Sequence, residues 1–281
     1  MIRGILFDLD NTLVMEDEAT ERALRHACDL AAKRAGVDAD AMFLVARSTA
    51  DALFRASSTF RYADAIGVWW GEGLWGEFDG EVPGLRALRE FAPSFRRAVW
   101  SGALAAVGAP AAAGVPDGAL VDELIDDYRT ARRTHHIVDP EAEPVLADLE
   151  RDHRLALVTN GAPDVQREKL AGTTFASRFG AIVISGELGI GKPDPRIFQS
   201  ALHGIGVPAD QAVVVGDSLP RDVAGARAAG IRAIWVDRGD DFGESRGATP
   251  AIPDARITRL SELRAALSVL ALRGASPPGS S

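Results

Sequence analysis

Residues 2–7 (IRGILF) form a short apolar run that ends directly in acid, the mark of a buried strand whose C-terminal end opens on polar solvent. From about Glu16 to Thr134 the pattern changes. Apolar residues recur at helical spacing in 18–35, 40–56, 84–91, 95–107 and 118–133, and no strand is predicted there. Beyond His136 the two periods alternate: helices are predicted near 141–152, 164–171, 194–204 and 219–229. Strands are predicted between them at 154–159 (RLALVT), 181–184 (AIVI), 211–215 (QAVVV) and 231–236 (IRAIWV). Helices between short β-branched runs make a parallel sheet wound in right-handed crossovers. The expected architecture is an α/β core, a parallel sheet with helices on both faces, built from residues 1–14 and 137–270. An all-α insert, residues 15–136, interrupts it after its first strand. Residues 271–281 are expected to be a disordered tail, since they end in GASPPGSS, rich in Pro, Gly and Ser. No internal repeat is visible.

At 281 residues the chain is long enough for a large core and a second small domain. Its 47% hydrophobic and 25% charged residues are ordinary for a soluble protein, and no apolar stretch approaches the roughly 18 residues of a membrane span. The formal net charge of -9, with no basic cluster, disfavours nucleic acid as a partner and leaves small molecules as the better fit. The single cysteine, Cys28, allows no internal disulfide and is expected to be packed on a helix. The first ten residues lack the features of a signal peptide, so a cytoplasmic location is expected.

In open α/β sheets ligands bind beyond the C-terminal ends of the strands. Four motifs fall there. In Asp8-Leu9-Asp10-Asn11-Thr12 the acids stand two apart, so on extended chain both project to one side and repel unless a cation or shared proton intervenes. A hard cation such as magnesium would leave one acid free as a nucleophile; the same pair also reads as a capping acid plus a turn acid. An EF-hand is a poor fit, because Leu13 and Ala19 stand where Gly and Glu are needed. Val158-Thr159-Asn160-Gly161 offers a hydroxyl, an amide and a permissive glycine, either a phosphate cradle or an ordinary turn.

Gly189 to Pro195 carries Lys192, one of three lysines in the chain. Pro193 stands where a nucleotide-binding P-loop needs Ser or Thr, so that reading is rejected. Lys192 is then either a point charge that neutralises phosphate or a carboxylate, or a solvated loop lysine. In Val215-Gly216-Asp217-Ser218-Leu219-Pro220-Arg221-Asp222, Asp217 can ligate a metal and Asp222 sits on the first turn of the next helix. N-capping by Asp217 or Ser218 is the alternative.

Together, in this order, the four motifs resemble those of the haloacid dehalogenase superfamily, over a core of about 150 residues. The resemblance implies a Rossmann-like core with a helical cap of that superfamily's first class. It further implies that Asp8 is the nucleophile and Asp10 the general acid and base. Thr159, with Asn160 and Lys192, would bind phosphate, and Lys192 would also orient Asp8. Magnesium would be held by the carboxylates of Asp8 and Asp217 and the backbone carbonyl of Asp10, with Asp222 in support. Dehalogenases resembling this fold have Tyr two residues after the nucleophile, and phosphonate-cleaving relatives have a small residue; Asp10 points instead to phosphate esters. The expected function is hydrolysis of a small phosphorylated metabolite (a sugar phosphate, an acylneuraminate phosphate or a nucleotide-like ester) through an aspartyl phosphate. A phosphomutase, a 2-haloacid dehalogenase and a non-catalytic binder of phosphometabolites remain as alternatives.

The insert carries Trp69, Trp70, Trp75 and Trp100, of which three lie in the Gly-containing segment 67–80. That segment reads either as a loop that excludes water or as part of a helical core, and the core reading is preferred. His135 and His136 lack a third ligand at recognisable spacing and are read as structural or exposed.

Overall fold

The computed structural model describes residues 1–112, 115–134, 136–239 and 251–273. The first apolar run becomes β1 (Gly4–Phe7), every residue of it buried. The later runs become β2 (Arg154–Thr159), β3 (Ala181–Ile184), β4 (Ala212–Gly216), β5 (Arg232–Val236) and β6 (Ala255–Ile257). All pair in parallel, in the spatial order β3-β2-β1-β4-β5-β6. Because successive side chains of a strand point to opposite faces, alternate residues enter opposite layers. Ile5, Phe7, Leu155, Leu157, Val213 and Val215 pack with Leu146, Leu149 and Leu170 on one face. Leu6, Ala156, Val158 and Val214 pack with Phe198, Ala201, Leu202 and Ile205 on the other. Strands buried on both faces need continuous apolar sequence, which is why these runs do not alternate with polar residues.

One helix of this layer begins and ends where its sequence says. Helix Pro195–Ile205 has Pro at its first position, Asp194 as a cap accepting from the Arg196 N–H at 2.9 Å, and left-handed Gly206 at its end. The helix expected at 219–229 opens as a π turn over Leu219–Val223 before the α-helical Ala224–Ala228. Several elements were not anticipated, among them β6 and helix Leu263–Arg273. β6 is three residues long, too short for a periodic signal. Helix Leu263–Arg273 buries Leu263, Leu267 and Leu270, and this i, i+4, i+7 stripe carries it past the expected tail boundary at 271. Residues 274–281, the rest of that expected tail, lie outside the described residues.

The chain divides into two compact units, Met1–Met15 with Val138–Gly161 and Glu168–Ser281, and Glu16–Ile137 with Ala162–Arg167. The second is built on helices Glu16–Ala35, Ala39–Arg55, Phe60–Ile66, Trp70–Gly73, Pro83–Ala106 and Gly118–Thr134. Two helices were expected where Pro83–Ala106 runs unbroken through Pro93. An interior proline costs about 3 kcal/mol. Burying Phe95, Val99 and Trp100 beyond it, at roughly 1.5–3 kcal/mol each, outweighs that cost. The unit also contains a two-residue antiparallel pair, Ala111–Ala112 with Val115–Pro116, where no strand was expected. Trp70, Trp75 and Trp100 are buried in this unit's core, with Trp69 packed against it, which favours the core reading of segment 67–80. Cys28 lies in the same core, and burial pushes its thiol up to about 12. His136 is half-buried; His135 lies outside the described residues. Among the described residues no helix is long and apolar enough to cross a membrane.

Candidate active site

The strand order determines where the site opens. Connections from β1 lead outward through β2 and β3 on one side, while β4, β5 and β6 build the other, so the loops after β1 and β4 diverge and leave a crevice. Asp8 follows β1, Thr159 ends β2 with Asn160 next to it, and Gly216 ends β4 with Asp217 next to it. Phe7 pairs with Leu157 and with Val215, so these strand ends are in register around the crevice. Lys192 reaches it from the loop that follows β3 and the short helix Ser185–Leu188.

Asp8 is buried, and its two carboxylate oxygens have different partners. Lys192 Nζ donates to Oδ1 at 2.5 Å and Thr12 Oγ1 donates to Oδ2 at 3.2 Å. Lys192 Nζ also donates to Asp222 Oδ1 at 2.7 Å, so one buried ammonium bridges two buried carboxylates. Burial works against the charge on Lys192, but Asp222 and Asp8 outweigh it, and the ammonium is held charged, above its ordinary value. For Asp8, burial is the larger influence. It lifts the carboxyl above its usual range, opposed by Lys192 and reinforced by Asp222.

Asn160 holds the Lys192 backbone from both sides. Its Oδ1 accepts from the Lys192 N–H at 2.8 Å, and its Nδ2 donates to the Lys192 carbonyl at 3.0 Å. The side chain expected at phosphate is therefore engaged as a strut for the lysine loop. Thr159 is fully buried at the end of β2, beside the strand that carries Asp8.

Asp222 is fixed by the turn that carries it. Its Oδ2 accepts from the Ser218 N–H at 3.0 Å, and Ser218 Oγ in turn caps the helix by accepting from the Arg221 N–H at 3.3 Å. The carboxylate folds so closely over the end of β4 that a Cβ on Gly216 would lie 2.3 Å from Asp222 Cγ. Only glycine allows this approach. Asp217, half-buried, has its backbone carbonyl held by Trp235 Nε1 at 2.7 Å. One carboxylate oxygen each from Asp8, Asp217 and Asp222 lies within 4.8 Å of the others, the one such group among the described residues. Three oxygen donors converging at a strand-end crevice fit a hard divalent cation, which takes oxygen ligands.

The carboxylate of Asp10 is not in that group. Both its oxygens accept from Lys169 Nζ, each at 3.0 Å. Parallel projection of Asp8 and Asp10 presumes extended chain, but β1 stops at Phe7 and the backbone then turns. Leu9 O accepts from the Leu13 and Val14 N–H groups, and Asn11 is left-handed at φ 57°. Arg238 fastens this turn, donating through Nε to Asn11 O at 2.9 Å and through Nη2 to Thr12 O at 2.7 Å and Asp139 Oδ2 at 2.7 Å. Lys169, Arg238 and Asp139 were missed in the sequence, and Thr12 stood in the first motif without a role. The one available signal was scarcity: with three lysines in 281 residues, a lysine in the helix after Thr159-Asn160-Gly161 merited attention.

A family model described as haloacid dehalogenase-like hydrolase matches residues 2–230. The chain is 43% identical over 261 residues to a phosphoserine phosphatase of Thermus thermophilus, covering 92% of this chain and 96% of that protein. It is 29% identical over 264 residues to a glyceraldehyde 3-phosphate phosphatase of Methanopyrus kandleri, covering 94% of this chain and 96% of that one. Among solved structures it is similar to a 2-haloacid dehalogenase from Pseudomonas syringae, with a TM-score of 0.54 and 28% identity over 96% of this chain and all of that one.

Proposed function

This chain belongs to the haloacid dehalogenase-like hydrolases, and from that premise we propose that it hydrolyses a small phosphomonoester through a phosphorylated Asp8. The observation that carries the reading is the buried Lys192 bridging Asp8 and Asp222 beside Asp217. Phosphate is an anion, and a carboxylate can attack it only where the opposing charge is offset. The carboxylates of Asp8 and Asp217, with Asp222 in support, would hold a magnesium ion together with the backbone carbonyl of Asp10, and that ion would supply charge screening there.

The chain's own residues account for the rest. Lys192 and Thr12 fix the Asp8 carboxylate, so one oxygen can be presented to phosphorus. Asp8 forms the new P–O bond as the ester P–O bond breaks, and Asp10 gives its proton to the departing alkoxide. Asp10 then takes a proton from water, which attacks phosphorus, releases phosphate and restores Asp8. Lys192 offsets the negative charge of the transferring phosphoryl group, and Thr159 binds one of its oxygens. We read the helical unit beginning at Glu16 as the cap that selects the leaving group.

Phosphoserine is the first substrate to test, because the 43% identity to the Thermus enzyme extends over nearly all of both chains. The similarity to a haloacid dehalogenase keeps halide release as the second reading, against which Asp10 stands. Phosphate release from phosphoserine, glyceraldehyde 3-phosphate, an acylneuraminate 9-phosphate and p-nitrophenyl phosphate is measured with magnesium and with chelator. Turnover that needs the metal and disappears in Asp8→Asn is expected. Activity surviving both changes would sink the proposal, and metal-independent halide release from 2-haloacids would replace it with the second reading.

A further inference from the structure

We propose that Lys169 is the positioning residue for Asp10: by holding both of its carboxylate oxygens, it sets the direction from which Asp10 meets the leaving oxygen of the substrate. The inference rests on the phosphatase reading above and assigns a part to a residue outside the four strand-end motifs. Lys169 stands in the last turn of helix Pro163–Ala171. A lysine there ordinarily extends into solvent, where it complements the helix dipole at little cost. This one is 1% exposed, and its Nζ lies 3.0 Å from each oxygen of Asp10, from which it is separated by 159 residues of chain.

Burying an ammonium is costly unless it is paired, so its place in the fold is tied to the acid it faces. Two equal contacts to one nitrogen also restrict rotation of the carboxyl group about its terminal bond, a torsion that is otherwise broad. Asp10 needs that restraint more than Asp8 does. Asp8 follows directly on a buried strand, whereas Asp10 sits in a turn after the strand has ended, with its side chain 23% exposed. Arg238 fixes the backbone of this turn at Asn11 and Thr12, and Lys169 fixes the side chain at Asp10. Proton transfer to a leaving group depends on such placement, and a misplacement near 1 Å can cost on the order of 100-fold in rate.

The test separates positioning from plain structural support by the leaving group. The value of kcat/KM reports events up to transfer of the phosphoryl group to Asp8, the step in which Asp10 protonates the departing oxygen. The alkoxide of phosphoserine needs that proton; p-nitrophenolate, a far weaker base, hardly does. Full-length protein with magnesium is assayed on both substrates as Lys169→Met, Asp10→Asn and the double variant. Lys169→Met is expected to lower kcat/KM at least 30-fold on phosphoserine and about 3-fold or less on p-nitrophenyl phosphate. In the Asp10→Asn background it should add less than 2-fold, because the group it positions is already gone. Equal losses on the two substrates, or independent losses that multiply in the double variant, overturn the inference. If Lys169→Met does not fold, Lys169→Gln is read against the same two criteria. An Asp8→Asn control that keeps parental activity would instead overturn the phosphatase reading itself, so the two failures are distinguishable.

Discussion

Replacing Lys192 by methionine removes the ammonium from between Asp8 and Asp222 while keeping most of its volume. Removing one partner of a buried ion pair typically costs 3–5 kcal/mol, because the remaining charge has neither water nor a counter-ion. Here two carboxylates, 5% and 1% exposed, would face each other. The least costly response is for one to take up a proton. For a carboxyl with an unfolded value near 3.9, that costs about 1.36 × (7 − 3.9), or about 4 kcal/mol, at pH 7 and only about 1.5 kcal/mol at pH 5. The sign follows from linkage. Burial already lifts the Asp8 carboxyl, and without Lys192 nothing from this lysine pulls it down. The group then titrates higher in the folded than in the unfolded state, so its contribution is retained below the unfolded value and lost as pH rises. The variant should therefore lose about 3–4 kcal/mol at pH 7 and recover more than half of it by pH 5. Hydrogen exchange of peptides spanning β1 and β4, in chelator and corrected for intrinsic rates, reads the sheet itself and avoids assuming one unfolding transition for two units. A loss below about 1 kcal/mol at pH 7, or the same loss at both pH values, would refute the charge-bridge account.

Gly216→Ala should displace Asp222, since the new Cβ would fall 2.4 Å from its Oδ2. Overpacking of this kind costs about 1–3 kcal/mol, and a drop of both melting temperature and phosphate release is expected. Asn160→Ala should leave the Lys192 N–H and carbonyl without their side-chain partner, a loss of about 1–3 kcal/mol by thermal unfolding; unchanged stability would remove Asn160 as a strut. The Cys28 thiol, pushed up to about 12 against 9.0 for the free group, should react with a disulfide reagent at pH 8 far more slowly in the folded protein than in urea. Its raised value also means that stability should fall as pH rises from about 9 toward 12.

What could be read from the sequence was what depends on local pattern and on the shape of a parallel sheet. Five of the six strands were placed because runs such as AVVV and RLALVT must be buried on both faces. In such a sheet every strand end opens on one edge, so acids and amides that follow the runs could be assigned to one crevice without knowing a single distance. Asp8, Lys192, Asp217 and Asp222 do converge there. β6 escaped because three residues carry no period, and Pro83–Ala106 was split because a proline outweighs its neighbours in any local reading.

Asp10 is placed by the turn after β1 and not by the period of a strand. Spacing in DLDNT gives two acids on one side of a strand, but the strand ends one residue before Asp8, and a left-handed Asn11 turns the chain. Each acid then acquires its own lysine: Asp8 takes Lys192, 184 residues away, and Asp10 takes Lys169, 159 residues away. Neither pairing follows from periodicity. Both follow from topology, because the connection after β2 carries Lys169 and the connection after β3 carries Lys192 back to the edge where β1 ends. Two acids two residues apart can hold different chemical roles only if their surroundings differ. Here the difference is made by which crossover delivers the cation: one is locked between two buried carboxylates, and the other is attached to a turn that is still partly open to solvent.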